Sequence, residues 1–402
     1  MKAIFPLSPY TDRDALRWGL CPGTGSLALS LIATTQMNKL IFGNLIYRPL
    51  RSLLSLTAVA IEVVMILSVT AIMLGQLNGW RENARGIGAD LIVKPANSSF
   101  LVGVSGAPVS AKVADILGRL PHVAVSAPVA VTFVTGKSVE NIYGIDFASF
   151  NALKPFVFLS GAPFQHPFDV IVDDISAKSS HSKIGDRISI MNHPFRICGI
   201  VEHGKGGRKF IQLTTMDQLN DSPGKASIFY LKLDDPNNQA VVEQEIKSTP
   251  GMEAYQVQSI QDFISQLTPN RLPGLEPALD TVIGIALVIG FLVIFQSMYT
   301  AVMERTREIG ILKALGASRG YVVGVILRET GMLAAGGILL GVGVSFVVRE
   351  SVMTRFPTLP FPITAHWLIL ATLLSFISAL IGAIYPAYKA ARKDPIDALA
   401  YE

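Results

Sequence analysis

Charged residues are scarce in this chain. Asp, Glu, Lys and Arg make up 16% of its 402 residues, against roughly 25% in an average soluble domain. Lys and Arg outnumber Asp and Glu by 34 to 30, an excess too small to favour a nucleic-acid partner. Cysteine is almost absent, and because Cys21 and Cys198 lie far apart, no disulfide framework is predicted.

The sequence also lacks the motifs that carry catalysis. None of its six histidines stands in an HExxH or other zinc-binding spacing, and there is no GxSxG nucleophile motif. Residues 136–138 read GKS like the end of a phosphate-binding loop, but Val131 stands where that motif needs glycine. We therefore expect a chain that is not an enzyme and binds no cofactor or metal, and we interpret residues 204–209 as a flexible basic turn.

Half of the residues are hydrophobic, and they are concentrated in four long runs. These runs, residues 53–77, 279–303, 320–348 and 365–388, together hold four charged residues. A helix needs about 20 mostly apolar residues to cross a hydrocarbon core of about 30 Å. The sequence therefore predicts a multi-pass α-helical membrane protein with four transmembrane helices.

Basic residues near the ends of the runs predict the orientation. Arg349 and Arg355 lie in the segment 349–364. Ten basic residues flank the runs on the other side: Lys39, Arg48, Arg51, Arg305, Arg307, Lys313, Arg319, Lys389, Arg392 and Lys393. Because Lys and Arg accumulate in cytoplasmic loops, we expect both termini, the loop 304–319 and the tail 389–402 in the cytoplasm.

Residues 78–278, between the first two runs, have the composition of a soluble domain. Strands are predicted at Val123–Thr135 and at 252–257, and Ser110 is predicted to cap a helix that continues to about residue 120. Short strands that alternate with helices indicate an α+β extracytoplasmic domain inserted between helices 1 and 2.

The N-terminal segment 1–36 has no apolar run long enough to span a membrane and lacks the order of a signal peptide. We interpret it as an extension, with Met37 as an alternative start. Residues 37–52 are expected to form a cytoplasmic amphipathic segment that leads into the first span.

Charges inside the spans are candidate functional residues because they are costly in a membrane. Glu62 and Arg328 lie at similar depths, counted from the cytoplasmic side at about 1.5 Å per residue. A pair between them is therefore geometrically allowed. In the alternative, Arg328 and Glu329 extend to the interface and stay hydrated there.

Small residues at four-residue spacing occur in the last two spans. Gly337 and Gly341 form one such pair, and Ala379 and Ala383 another. This spacing lets helix backbones approach closely in lipid. The sequence leaves open which helices meet.

The loop after the second span reads RTREIGILKALGAS from Arg305. Residues 306–315 predict a short helix with Ile309, Leu312 and Leu315 toward one side. Gly316 predicts a left-handed stop at its C-terminal end. Such a helix is suited to docking into a cleft on a cytoplasmic partner.

Three cytoplasmic stretches together resemble the FtsX-like/MacB-like family of ABC transporter permeases. They are the loop from Arg305, the segment from Asn44 through Leu54, and the C-terminal segment from Tyr385 to Leu399. The resemblance covers residues 38–402 and extends to the topology, because one span, a large external domain and three spans follow one another. The external domain resembles the periplasmic core domain of that family.

The resemblance implies a non-catalytic subunit in the plasma (inner) membrane of a bacterial cell, where a separate ABC ATPase binds ATP and Mg. It also implies a second permease subunit, identical or closely related, and a periplasmic adaptor or outer-membrane component. The residues that it implies for coupling to the ATPase are Arg305, Arg307, Glu308, Ile309, Gly310, Leu312, Lys313, Leu315 and Gly316.

The function that the resemblance implies is mechanotransmission. ATP hydrolysis in the partner would move the extracytoplasmic domain and export or release a substrate at the outer side. Two alternatives stay open at this point. One is an FtsX-type signalling subunit that regulates cell-wall hydrolases without transport, and the other is a membrane-anchored external enzyme, which the missing catalytic motifs disfavour.

Overall fold

The computed structural model describes residues 49–96, 108–135, 139–221, 223–272 and 274–394. The predictions for segment 1–36, for most of segment 37–52, for the GKS turn and for the end of the tail lie outside these ranges. The chain divides into two compact units. One holds residues up to Ala60, Ile289–Leu340 and the residues from Ser375, and the other holds Ile61–Val288 and Gly341–Leu374.

The helices and strands are numbered in chain order. They are α1 (Pro49–Ile87), β1 (Leu91–Lys94), β2 (Val109–Ser110), α2 (Val113–Leu117), β3 (Val123–Thr135), β4 (Val139–Ile145), α3 (Phe147–Leu153), β5 (Phe158–Gly161), β6 (Asp169–Asp173), α4 (Asp174–Ser180), β7 (Arg187–Ile190), β8 (His193–Val201), β9 (Lys209–Gln212), α5 (Leu213–Leu219), β10 (Lys225–Ala226), β11 (Ile228–Leu233), α6 (Gln239–Ser248), β12 (Gln256–Ser259), α7 (Ile260–Gln266), α8 (Leu275–Glu304), α9 (Thr306–Ala314), α10 (Arg319–Arg355) and α11 (Ala365–Arg392). A 3₁₀ turn at Pro236–Asn238 precedes α6.

Helices α1, α8, α10 and α11 are each long and apolar enough to cross a membrane. They contain the four apolar runs, and the sheet domain lies between α1 and α8 in the chain, so the predicted fold class is confirmed. Helix α1 continues ten residues past the predicted end of the first span at residue 77. It stops only where Gly88 takes a positive φ of 80°, a conformation that glycine adopts without strain.

The sheet domain is built on one mixed sheet. Its strand order is β12-β1-β11-β3-β4-β9-β6-β8-β5, and β7 pairs with β8. The pairs β4–β9 and β6–β8 are parallel, and the other neighbours in this sheet are antiparallel. Strand β3 has the bounds that the sequence predicted, and it is rich in valine and other apolar residues that favour strands.

One core cluster of the domain is rich in aromatic side chains. Phe150 and Phe210 are fully buried in it, and the ring centroids of Phe156 and Phe210 lie 5.2 Å apart in an edge-to-face contact. Ala84 and Ile87, at the end of α1, belong to the same cluster. The last turn of α1 is therefore part of the core of the domain.

Two local predictions were wrong. Ser110 is paired with Lys225 in a short ladder, so it does not cap a helix, and α2 covers only Val113–Leu117. The strand predicted at residues 252–257 is shifted to β12, because the pairing of Leu91 with Ser259 fixes its register. In both places a tertiary strand pairing decides the outcome.

Candidate functional site

Helix α9 ends in the left-handed stop that the sequence predicted. Gly316 has a φ of 96°. The amide of Ala317 donates to the carbonyl oxygen of Leu312, and the amide of Gly316 donates to that of Lys313, both at 3.0 Å. This pair of bonds satisfies carbonyl groups that the end of a helix leaves without a partner.

One side of α9 is held against the neighbouring helices. Thr306 and Gly310 are buried. The Nζ of Lys313 donates to the carbonyl oxygen of Ala391 at 3.0 Å and also to that of Lys393, at the C-terminal end of α11. A cation at this end of a helix is favoured by the helix dipole. In the structure Lys313 therefore fastens α9 to α11.

The opposite side of α9 is an exposed apolar surface formed by Ile311, Leu312 and Leu315. Their exposed fractions are 46%, 43% and 81%, and we call these three residues the docking face. Glu308 and Arg307, also on the predicted coupling list, are exposed. Ile309, which the sequence placed on the apolar side, is only partly exposed. Thr306 and Gly310 are buried, and Lys313 is bound to the end of α11, so the opposite side of the helix exposes Ile311 instead.

Four charged residues meet where α8 gives way to α9. The Nη1 of Arg305 lies 3.2 Å from the Oε2 of Glu329 in α10, and the Nη2 of Arg51 in α1 lies 3.4 Å from its Oε1. Arg51 also lies 3.5 Å from the carboxylate of Glu304. The side chain of Glu329 is only 6% exposed. We call Arg51, Glu304, Arg305 and Glu329 the charge cluster.

Sequence reasoning missed the charge cluster. The alternative in which Glu329 stays hydrated at the interface is wrong, because the structure buries this residue between two arginines. Arg305 was predicted as a coupling residue and Arg51 was noted as a basic flanking residue, with no contact between either of them and Glu329. The available signal was the presence of opposite charges at the ends of three neighbouring apolar runs.

Glu62 and Arg328 differ in their surroundings. Glu62 is 2% exposed, and Arg328 has an exposed side chain. Glu62 belongs to one compact unit and Arg328 to the other. A pair between them stays a prediction.

Small residues mark two helix contacts. A Cβ added at Gly337 would lie 2.7 Å from the Cβ of Val59 and 2.8 Å from the carbonyl oxygen of Leu56, so α10 packs closely on α1 there. A Cβ added at Gly382 would lie 2.9 Å from the carbonyl oxygen of Phe291, which places α11 against α8. The predicted packing residues Gly341, Ala379 and Ala383 are buried.

The outer part of α1 contacts two loops through glycine. A Cβ at Gly86 would lie 1.6 Å from the carbonyl oxygen of Gly204. The amide of Gly206 donates to the carbonyl oxygen of Asn83 at 3.0 Å. A Cβ at Gly75 would lie 2.0 Å from the carbonyl oxygen of Pro360. The two loops also meet, because the Nη2 of Arg208 donates to the carbonyl oxygen of Thr358 at 2.9 Å. We call these contacts the α1 junction.

The turn at residues 204–209 is not the flexible basic turn that the sequence indicated. Lys205 is 6% exposed, and its Nζ lies 4.0 Å from the ring centroid of Phe156 and 5.5 Å from that of Phe150. Burial, together with the nearby charge of Lys154, lowers the pKa of Lys205 to about 8. The turn is therefore packed into the aromatic core. Within the described part of the chain, no cluster of three or more His, Cys, Asp or Glu side chains could hold a metal ion.

Two family models match this chain. The model described as MacB-like periplasmic core domain matches residues 52–249, and the one described as FtsX-like permease C-terminal matches residues 281–395. The first covers α1 and most of the sheet domain. The second covers α8 through α11, including the docking face and three residues of the charge cluster.

Known proteins with similar sequences are named as transporter components. The macrolide export ATP-binding/permease protein MacB of Neisseria meningitidis serogroup A is 26% identical over 382 residues, which cover 88% of this chain and 59% of MacB. The chain thus spans less than two thirds of that relative. The uncharacterized ABC transporter permease YvrN of Bacillus subtilis is 23% identical over 90% of this chain and 98% of its own length.

Among solved structures, the periplasmic region of MacB from Actinobacillus actinomycetemcomitans is 17% identical. The match covers 46% of this chain and 95% of that one, with a TM-score of 0.36. Four apolar helices and a matched periplasmic core domain fit an inner-membrane protein with an extracytoplasmic domain. The chain belongs to the MacB/FtsX-like family of ABC transporter permeases.

Proposed function

We propose that this chain is a permease subunit that couples ATP hydrolysis by a separate ABC ATPase to movement of the extracytoplasmic domain. The movement would export or release a substrate at the outer side of the membrane. The observation that carries the proposal is the docking face, because it is an exposed apolar surface on a short helix whose other side is fastened.

The docking face has the character of a partner surface. Leu315 is 81% exposed, and Ile311 and Leu312 are also exposed. Binding of these side chains in a hydrophobic groove would be favourable, because it would remove apolar surface from water. An amphipathic helix laid into such a groove is a recurring recognition mode. Since the charge cluster and Lys313 tie α9 to α1, α10 and α11, a force on the docking face acts on three apolar helices.

The remaining parts of the proposal follow from the family and the basic residues. ATP and Mg are held by the ATPase, and a second permease subunit completes the complex. A periplasmic adaptor or outer-membrane component would receive the substrate. The bias of Lys and Arg supports a cytoplasmic position for α9, the C-terminal end of α11 and both termini, on the side where the ATPase would bind.

The test replaces two residues of the docking face with Asp, in the double variant Ile311→Asp, Leu312→Asp. Truncating one hot-spot residue of an interface costs about 2 kcal/mol or more, which weakens binding about 30-fold. The double variant should lose at least this much affinity, so the amount of ATPase that co-purifies with the tagged chain should fall accordingly. The bound ATPase is quantified by mass spectrometry of complexes from native membranes. The matched control is Val241→Asp, because Val241 is 49% exposed on the sheet domain.

Membrane insertion and the fold of the sheet domain should survive in both variants, because neither depends on α9. Limited proteolysis of the sheet domain checks this. If the double variant retains its full complement of ATPase, the docking face is not the ATPase contact and the proposed function loses its main support.

A further inference from the structure

The connection between α8 and α9 is a single residue. Helix α8 ends at Glu304 and α9 begins at Thr306. Arg305 between them has φ −106° and ψ 16°, which is outside the helical region. A one-residue break of this kind can bend, because few backbone hydrogen bonds cross it. Without a brace, a force on the docking face would change the angle at Arg305 and leave the spans in place.

Both residues at the break are tied to other helices by the charge cluster. Arg305 reaches Glu329 in α10, with contacts of 3.2 and 3.4 Å, and Glu304 reaches Arg51 in α1 at 3.5 Å. Arg51 in turn contacts Glu329. The carboxylate of Glu329 is thus shared by two arginines that belong to two different segments of the chain.

Because this cluster is largely buried, its expected role is to position the helices, and its contribution to the free energy of unfolding is expected to be small. Two positive and two negative charges balance one another, and Glu329 and Arg51 have side chains that are 6% and 13% exposed. Removing such charges from water costs about as much as their attraction returns, so a buried ion pair is weak evidence for stability. Its geometry, in contrast, fixes where the helices stand relative to one another, because both carboxylate oxygens of Glu329 are contacted by arginines from two different segments.

We infer that Glu329 is a positioning residue that braces the break at Arg305, so that movement of the docking face is passed to α1 and α10. The inference rests on the proposed function and deepens it, because it separates binding of the ATPase from transmission. The docking face binds, and the charge cluster transmits. Lys313 holds the other end of α9 through the carbonyl oxygens of Ala391 and Lys393.

The experiment uses the full chain with its co-purifying ATPase in nanodiscs. Two quantities are measured: the amount of bound ATPase, and the change in amide hydrogen exchange over residues 204–208 when ATP is added. Glu329→Gln keeps the shape of the side chain and removes its charge. We expect wild-type amounts of bound ATPase and continued ATP hydrolysis. The exchange response to ATP should fall about ten-fold, within the usual range of coupling between sites.

The matched control is Glu350→Gln, which makes the same chemical change at an exposed position of the same helix, and it should respond like the wild type. A second pair of variants acts from the other side of the cluster. Arg305→Gln should uncouple in the same way, and Arg305→Lys, which keeps the charge, should restore most of the response. If Glu329→Gln does not yield folded protein, the two Arg305 variants carry the test.

A full exchange response in Glu329→Gln or Arg305→Gln would overturn the inference. So would loss of bound ATPase in these variants, because the cluster would then only shape the docking face. An Arg305→Lys chain as defective as Arg305→Gln would show that the charge is not what matters. Failure of the proposed function is distinguishable, because the wild-type chain itself would then bind no ATPase or show no response to ATP.

Discussion

Replacing Gly86 with Ala would put a methyl group where α1 meets the backbone of Gly204. The added Cβ would lie 1.6 Å from the carbonyl oxygen of Gly204 and 2.6 Å from its carbonyl carbon. Both are backbone atoms and cannot rotate away. Helix or loop must therefore move by roughly 1.5 Å or more before the atoms reach van der Waals contact.

The expected magnitude follows from two opposing effects. Ala is favoured over Gly inside a helix by about 0.5–1 kcal/mol, whereas overpacking a tight contact costs about 1–3 kcal/mol, occasionally more. Gly79 lies two turns earlier in α1, and a Cβ there would meet no atom of the described residues within 4 Å. Gly79→Ala should therefore show only the stabilisation that Ala gives a helix. The free energies of unfolding of the two variants should differ by the cost of overpacking at Gly204.

The assay is thermal unfolding of the detergent-solubilised chain. Each kcal/mol corresponds to about 2–4 °C for a domain of this size, so Gly86→Ala should unfold several degrees below Gly79→Ala. Hydrogen exchange at the amide of Gly206, which donates to Asn83, should rise in Gly86→Ala alone. Equal or reversed midpoints would refute the close contact between α1 and the 204–208 loop.

Three further predictions concern charge and orientation. Lys205→Met should raise the unfolding temperature at pH 7. Burial lowers the pKa of Lys205 to about 8, so at pH 7 the folded state buries a charged ammonium group, which destabilises it. The difference in unfolding temperature between the variant and the wild type should shrink as pH rises from 8 toward 10.5, the pKa of Lys in the unfolded chain. A series of melting curves at increasing pH checks this. Asp169→Asn should destabilise by about 1–3 kcal/mol, because Asp169 contacts Arg196 at 3.0 Å and accepts two backbone amides. Burial raises the pKa of Asp169, but these bonds outweigh it and hold the pKa below its usual value. The destabilisation should therefore disappear as pH falls below 3.8 through the lowered pKa, which chemical denaturation at several pH values checks. In a chain whose own cysteines are replaced by Ser, an impermeant thiol reagent should label V241C but not S318C in intact cells; the reverse pattern would overturn the proposed orientation.

The parts of the fold that depend on local patterns were predictable from the sequence. The four apolar runs each became a helix, and the valine-rich segment Val123–Thr135 became β3. The left-handed stop at Gly316 was predictable because it depends on a single residue type. Each of these features is specified within a short stretch of chain.

The parts that depend on distant neighbours were not predictable. Arg51 and Glu329 are 278 positions apart in the sequence, so no periodicity connects them. The glycine-rich sequence around Lys205 indicates a surface turn. Lys205 is buried because it packs on the rings of Phe150 and Phe156, which are about 50 residues away in the sequence. The docking face differs from its prediction in one residue, with Ile311 in place of Ile309, because contacts of α9 with other helices set its rotation.

The α1 junction also restricts how the length of this helix can change in evolution or in chimeras. Gly75 and Gly86 are eleven residues apart, which is close to three full turns at 3.6 residues per turn, so both face the same side of α1. One inserted residue between them would rotate Gly86 by about 100° relative to Gly75, and one of the two loops would meet a side chain in place of a glycine. An insertion of about seven residues, close to two turns, would nearly restore the phase. Sheet domains of related permeases should therefore be exchangeable only when the joint in α1 preserves this count.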